Sequence, residues 1–290
     1  MRQPNILTGQ KGRGRMRCLY QERVYDCGDY KEVDIYPVYK KAGQRNSKAK
    51  PTAEVQEKLN QRNSERELIR VLNENFTPDD LEIHLTFDDK CMPNDYEEAK
   101  RLVDNFIRRV KRRYKNAGLE LKAVVVISGG EGKRWHYHIT LKCGIDRDEL
   151  EALWPYGYAN SRRLRFNENG VEGLAKYISR QHMQDEGVER VKGRRRWFGT
   201  RNLKRPQPKT TTGAISGKKV KELCTVEVES RAPFERLYPG YFLSRVEAIE
   251  NEFNHGYYLH IRMYRAGSDM ATRRKHRKDE GRKRAEGRQI

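Results

Sequence analysis

A chain of 290 residues can hold one sizeable core and a smaller accessory domain. Its 61 Lys and Arg stand against 41 Asp and Glu, a formal net charge of +20 that points to a polyanionic partner. The longest purely apolar run, Ala123 to Ile127, is too short to span a bilayer, and MRQPNIL lacks the apolar stretch of a signal peptide, so no membrane partner is expected. The cysteines Cys18, Cys27, Cys91, Cys143 and Cys224 are scattered without a C-x-x-C pair, which argues against a zinc ribbon or a disulfide framework and suits a reducing cytosol.

Residues 1–17 are polar, basic and glycine-bearing, and are expected to be disordered. Residues 18–51 read as a small β-rich segment with a linker: CLYQERVYDCGDYKEVDIYPVYKK alternates in part, with a turn at Cys27-Gly28-Asp29, and AGQRNSKAKP follows. Residues 52–190 read as the main domain. Thr52 precedes a helix over 54–75, with Val55, Leu59, Leu68, Ile69 and Leu72 as core positions. EIHLTFDD (82–89) alternates as a strand, placing Ile83, Leu85 and Phe87 on one face and His84, Thr86 and Asp88 on the other.

A helix follows from Asn94 to Gly118, with Tyr96, Ala99, Val103, Phe106, Val110 and Tyr114 as its apolar stripe. Arg108, Arg109, Lys111, Arg112, Arg113 and Lys115 make its other face a solvated surface or a nucleic-acid contact. LKAVVVIS (121–128) is a buried strand, GGEGKR a loop, and WHYHITLK the returning strand. A short capped helix over 146–154, a strand over 161–167 and a helix over 171–184 complete the domain.

This order predicts an α+β fold: a mostly antiparallel sheet of ferredoxin-like βαββαβ type, helices on one face, and small β-rich accessory segments from both ends. Residues 191–265 form a basic loop, a helix or strand over KKVKELCTVEVESR, and a terminal strand at 255–265; residues 266–290 read as a disordered basic tail.

In KRWHYHITL (133–141) the alternation puts His136, His138 and Thr140 on one face and Tyr137, Ile139 and Leu141 in the core. Two imidazoles two residues apart on a strand either converge on one ion or face water separately. A hard divalent cation, Mg²⁺ or Mn²⁺, needs oxygen ligands as well, and Glu131 is the nearest candidate, unless it is a loop carboxylate in water. A metal beside positive charge suggests phosphate chemistry, for which Tyr177, between Lys176 and Arg180, is a candidate nucleophile. The alternative for Tyr177 is a core aromatic of an amphipathic helix. Lys133 and Arg134 are expected phosphate contacts.

Together IHLTFDD (83–89), WHYHITL (135–141) and KYISRQ (176–181) resemble the three motifs of the HUH endonuclease family, specifically the rolling-circle replication initiators of small phages and plasmids. EVDIYPVYK, RNLKRP and YPGYF are similar to stretches of phage initiators, so the resemblance runs from about residue 18 to residue 265. It implies that Tyr177 attacks an origin phosphodiester in single-stranded DNA, forming a 5′-phosphotyrosyl bond and leaving a 3′-hydroxyl for a polymerase, in the cytoplasm of a host cell. The family lysine is Arg180 here, which can bind phosphate together with Lys176 but cannot exchange a proton near neutral pH. Gln181 is a candidate orienting group. Only one tyrosine is suitably placed, implying a single-tyrosine enzyme. GAISGKKV (213–220) is not a phosphate loop, so unwinding calls for a host helicase.

Two other readings fit some of the residues. His84-Leu85-Thr86 and His138-Ile139-Thr140 resemble the paired H-x-T motifs of 2H phosphoesterases, which use two histidines as acid and base without metal. A nucleic-acid binding module without enzymatic activity would use the basic helix, Arg194, Arg195 and Arg196, and the stacking of Trp197 and Phe198 on bases.

Overall fold

A computed structural model describes residues 18–39, 53–130, 132–166, 171, 197–225, 231–250 and 256–268. Ten strands form two five-stranded sheets, every pair antiparallel. The central sheet is built from β3 (Leu81–Thr86), β4 (Ala123–Gly130), β5 (Lys133–Leu141), β6 (Ala159–Arg163) and β7 (Phe198–Gly199), in the order β6-β3-β5-β4-β7. The terminal sheet combines β1 (Cys18–Cys27), β2 (Tyr30–Tyr39), β8 (Lys209–Thr212), β9 (Tyr241–Glu250) and β10 (Tyr257–Arg265), in the order β8-β1-β2-β10-β9. The α+β class and the antiparallel pairing are as the sequence predicts. The two accessory β segments are one structure, because β2 pairs with β10 from Tyr30 opposite Tyr264 to Ile35 opposite Leu259.

Alternation assigns the faces of the central sheet. Ile83 and Leu85 of β3, Tyr137, Ile139 and Leu141 of β5, and Ala123, Val125 and Ile127 of β4 all point one way. Helix α2 (Tyr96–Asn116) covers them with Ala99, Val103, Phe106, Val110 and Tyr114, the stripe that a 3.6-residue period requires. Each of the larger side chains contributes roughly 1.5–3 kcal/mol by leaving water. The helix starts one residue later than Asn94 suggested: Asp95 is the N-cap, accepting from the Glu98 amide at 2.8 Å, and Asn94 instead donates to the Glu98 carboxylate at 3.0 Å. Tyr137 is wholly buried, and its hydroxyl donates to the Ala99 carbonyl at 2.7 Å, so its polar end is satisfied within the core.

The opposite face is only partly covered. Helix α1 (Ala53–Asn75) sets Leu68 and Leu72 in a cluster with Val124, Val126, Leu164, Trp197 and Leu203, and the same cluster reaches Tyr25, Cys27 and Tyr30 of the terminal sheet. Leu59, an expected core residue, is 42 % exposed, because only the C-terminal part of α1 lies in this cluster. The expected strand over 161–167 is β6, shifted toward the N-terminus. Short helix α3 (Arg147–Ala152) is capped by Asp146. In the terminal sheet, Val33, Ile35, Leu243, Leu259, Ile261 and Met263 pack against helices α4 (Gly217–Thr225) and α5 (Ala232–Leu237) through Val220, Leu223 and Phe234.

The β4–β5 connection depends on glycine. Gly129 has φ of +114°, and a Cβ there would sit 2.6 Å from the Arg134 carbonyl oxygen and the Trp135 Cα, so only a residue without a side chain lets the two strands close. The ladder shifts register between Ser128 and Gly130, the bulge that opens this loop.

Candidate metal centre

The half-covered face of the central sheet carries three histidines. In the antiparallel pairing of β3 with β5, His84 stands directly opposite His138 and Thr86 opposite His136. The period-two geometry of both strands then places His84, His136 and His138 on one face, away from α2. Their ring centroids lie 4.7 Å (His84 to His138), 5.3 Å (His136 to His138) and 5.4 Å (His84 to His136) apart, and one ligand nitrogen from each lies within 4.8 Å of the other two.

The surroundings fix the imidazoles for ligation. The Nδ1 of His136 is 3.1 Å from the Arg134 carbonyl oxygen. A carbonyl only accepts, so Nδ1 carries the hydrogen and Nε2 keeps its lone pair. The Nδ1 of His138 lies 3.8 Å from the buried Glu82 carboxylate, which in turn accepts from Arg162 at 2.9 and 3.0 Å. Burial alone would raise the Glu82 carboxyl, but His138 and Arg162 outweigh it and hold it below the ordinary carboxylate range. A carboxylate behind a ligating histidine orients the ring and raises its basicity. Burial, reinforced by His138 and His136, pushes His84 down to about 4, so this imidazole is neutral near pH 7.

Two buried polar atoms on this face have no hydrogen-bond partner among the described residues: the His84 Nε2 and the Ser128 hydroxyl, Ser128 being opposite His136 on β4. Orphaned polar atoms beside a cluster of neutral imidazoles fit a divalent ion and its water. The sequence reading identified His136 and His138 as the pair but gave His84 a role only in the metal-free alternative. The missing information was the register of β3 against β5, which the alternation of IHLT does not contain.

The other expected site residues fall in three groups. Glu131, Lys176, Tyr177, Arg180, Gln181, Arg194, Arg195 and Arg196 lie outside the described residues. Lys133 and Arg134 are exposed beside a cleft lined by Asp95, Tyr96 and Trp135; the Arg134 guanidinium pairs with Asp89 and donates to the Phe87 carbonyl at 2.6 Å. Trp197 and Phe198 are not offered to bases: Trp197 is 8 % exposed within the α1 cluster, and Phe198 is a partly buried residue of β7. The basic face of α2 is on the far side of the sheet from the histidines, where Arg109 donates to the Leu153 carbonyl at 3.1 Å and Arg113 pairs with Glu149 at 3.3 Å.

Residues 81–182 match the family model described as Replication-associated protein ORF2. The match supports a replication initiator family, and with it an interaction with DNA. It spans the three histidines of the cluster and the segment that contains Tyr177. No curated protein and no solved structure matches the chain. Among the described residues, no helix is long and apolar enough to cross a membrane.

Proposed function

We propose that the chain is an HUH-type replication initiator that nicks single-stranded origin DNA with Tyr177 as nucleophile, using a divalent ion held by His84, His136 and His138. The observation that carries this reading is the convergence of three imidazoles on one open sheet face, inside the segment that matches a replication-associated family. The ion, when bound, supplies positive charge to a phosphoryl oxygen of the scissile group. The donor set of three neutral imidazoles favours Mn²⁺ or a later first-row ion over Mg²⁺, which prefers oxygen. Glu131 remains a candidate for an additional oxygen ligand.

The protein's own groups account for the rest. Glu82 holds His138 in orientation, and the Arg134 carbonyl holds His136. The phenolate of Tyr177 forms a bond to phosphorus; the bond from phosphorus to the deoxyribose 3′-oxygen breaks, and that oxygen leaves with the electron pair and takes a proton. The products are a 5′-phosphotyrosyl linkage and a free 3′-hydroxyl for a host polymerase, with a host helicase opening the duplex. Lys176 and Arg180 favour the phenolate and bind phosphate, and Gln181 orients the group.

The 2H reading has one observation in its favour, the direct opposition of His84 and His138. It leaves His136 without a role. Both readings are tested by incubating the protein with labelled origin DNA and Mn²⁺ and running a denaturing gel. Wild type is expected to give a protein-linked DNA band that EDTA or Tyr177→Phe removes. The same band from Tyr177→Phe overturns the tyrosine mechanism, and cleavage undiminished by EDTA favours the 2H chemistry.

A further inference from the structure

The polar face of the terminal sheet and the N-terminal half of α1 enclose a groove of about 610 Å³ to which none of β3, β4, β5 or β6 contributes. The size is that of sites that take a ligand of one or two nucleotides, roughly 300–1,000 Å³. Arg62, Arg66 and Arg70 recur every fourth residue of α1 and so form one wall. The floor is a rung of the sheet, Arg23 opposite Asp34 and Asp34 opposite His260, with Tyr36 and Tyr258 on the next rung beyond the Ile35–Leu259 pair. Residues 205–208 form the other wall, with Arg205 over the Trp197 ring at 5.3 Å.

A network beneath the floor preorganises the arginines. Arg70 donates to Glu32 and stacks over Tyr25 at 3.6 Å, while Arg66 pairs with Asp34 at 3.4 Å. The Asp34 carboxylate also accepts from His260 Nδ1 at 2.7 Å, and Arg262 donates to His260 Nε2 at 3.1 Å. Glu32, Asp34 and His260 are close enough to hold a metal, but guanidinium groups already occupy this cluster, and their charge opposes a divalent cation. The carboxylates instead fix the positions of arginines whose outer edges face the groove. In the lining, five arginines outnumber the three carboxylates of Asp34, Glu67 and Glu247.

The geometry points to this groove as a second binding site for single-stranded DNA, separate from the histidine face, with phosphates on Arg62, Arg23 and Arg205 and bases against Tyr36 and Tyr258. A basic channel with an aromatic floor binds a single strand with little sequence preference, because every base has a π-face. The inference rests on the proposed reading that the chain acts on single-stranded DNA, and adds a place where the strand is held away from the cut.

The test is fluorescence anisotropy of a labelled oligodeoxythymidine in EDTA, which isolates binding from nicking. Arg62→Glu and Tyr258→Ala are each expected to weaken binding about tenfold. Arg62→Glu should also lower the slope of log affinity against log salt by about 0.7, the value for one phosphate contact on a single strand. The single-turnover nicking rate at saturating DNA should be unchanged in both. A second measurement needs no variant: ultraviolet crosslinking of iododeoxyuridine-substituted DNA to wild type should mark peptides within 18–39 or 256–265. Wild-type affinity in both variants, crosslinks confined to other peptides, or a preference for duplex of the same length overturns the proposal. If wild type forms no covalent product yet the variants lose affinity, the nicking reading fails and the groove stands.

Discussion

His84→Ala tests whether the third imidazole is a ligand, through a readout that does not depend on catalysis. In metal-free protein the substitution removes a half-buried ring whose Nε2 has no hydrogen-bond partner among the described residues, so the loss of apo stability should be small. The effect on the metal should be large. Removing a group that only supports a ligand typically costs 10–100-fold in affinity, so removing one of three ligands should cost about 100-fold, or about 2.7 kcal/mol. With Mn²⁺ at 100 times the wild-type Kd, linkage stabilises wild type by about 2.7 kcal/mol and the variant by only about 0.4 kcal/mol. For a chain of this size that corresponds to a rise in Tm of about 5 °C for wild type and below about 1 °C for His84→Ala. Differential scanning fluorimetry in EDTA and in Mn²⁺ gives both numbers. An undiminished Mn²⁺-induced shift in the variant refutes His84 as a ligand and returns the third position to Glu131.

The same imidazole makes stability depend on pH in metal-free protein. Its folded value is about 4 against an ordinary 6.5, so between these values the unfolded chain binds a proton that the folded chain refuses, and stability falls as pH drops through that window. Urea midpoints in EDTA at pH 7.5 and pH 5 should show the fall, and His84→Asn should reduce it; an equal fall in the variant would sink the assignment. Glu82→Gln keeps the shape behind His138 but removes the charge, and isothermal titration should show Mn²⁺ binding about tenfold weaker. Gly129→Ala forces a Cβ to within 2.6 Å of backbone at a φ of +114° and should cost about 3 kcal/mol in denaturant unfolding, whereas Gly28→Ala, with no atom within 4 Å, should cost less.

Much of the fold was legible because its signals are local. The stripe of α2, the alternation of β3 and β5 and the Gly28 turn are each written within a few dozen residues, and all appear where the pattern placed them. What was hidden depends on pairing across the chain. Nothing in HGYYLHIRMYR states that it continues the sheet begun by CLYQERVYDC, and the strand at Tyr241–Glu250 went unread because its half-exposed residues alternate weakly. The site divides in the same way. His136 and His138 share a strand, so the sequence shows them together; His84 joins them only through a register fixed by two strands separated by all of α2. The Trp197-Phe198 pair misled for the opposite reason, since aromatic residues in a basic stretch look exposed until a core is found for them.

The same geometry separates positive charge that serves the site from positive charge that does not. The most conspicuous basic feature of the sequence is the outer face of α2, where Arg108, Lys111 and Arg112 are exposed. That helix packs on the face carrying Ile83, Tyr137 and Ile139, so its outer surface points away from the histidines. A short strand lying on the histidine face therefore meets Arg162, which borders the cavity of His84 and His138, and not α2. Replacing Arg108 and Arg112 together by serine should slow association at low salt through the long-range field, with the difference shrinking as ionic strength rises to about 0.15 M and the Debye length falls to about 8 Å. The single-turnover nicking rate of a short oligonucleotide at saturation should not move. If that rate falls tenfold or more while the Tm is unchanged, α2 contacts the reacting strand, and the assignment of the cut to the opposite face is wrong.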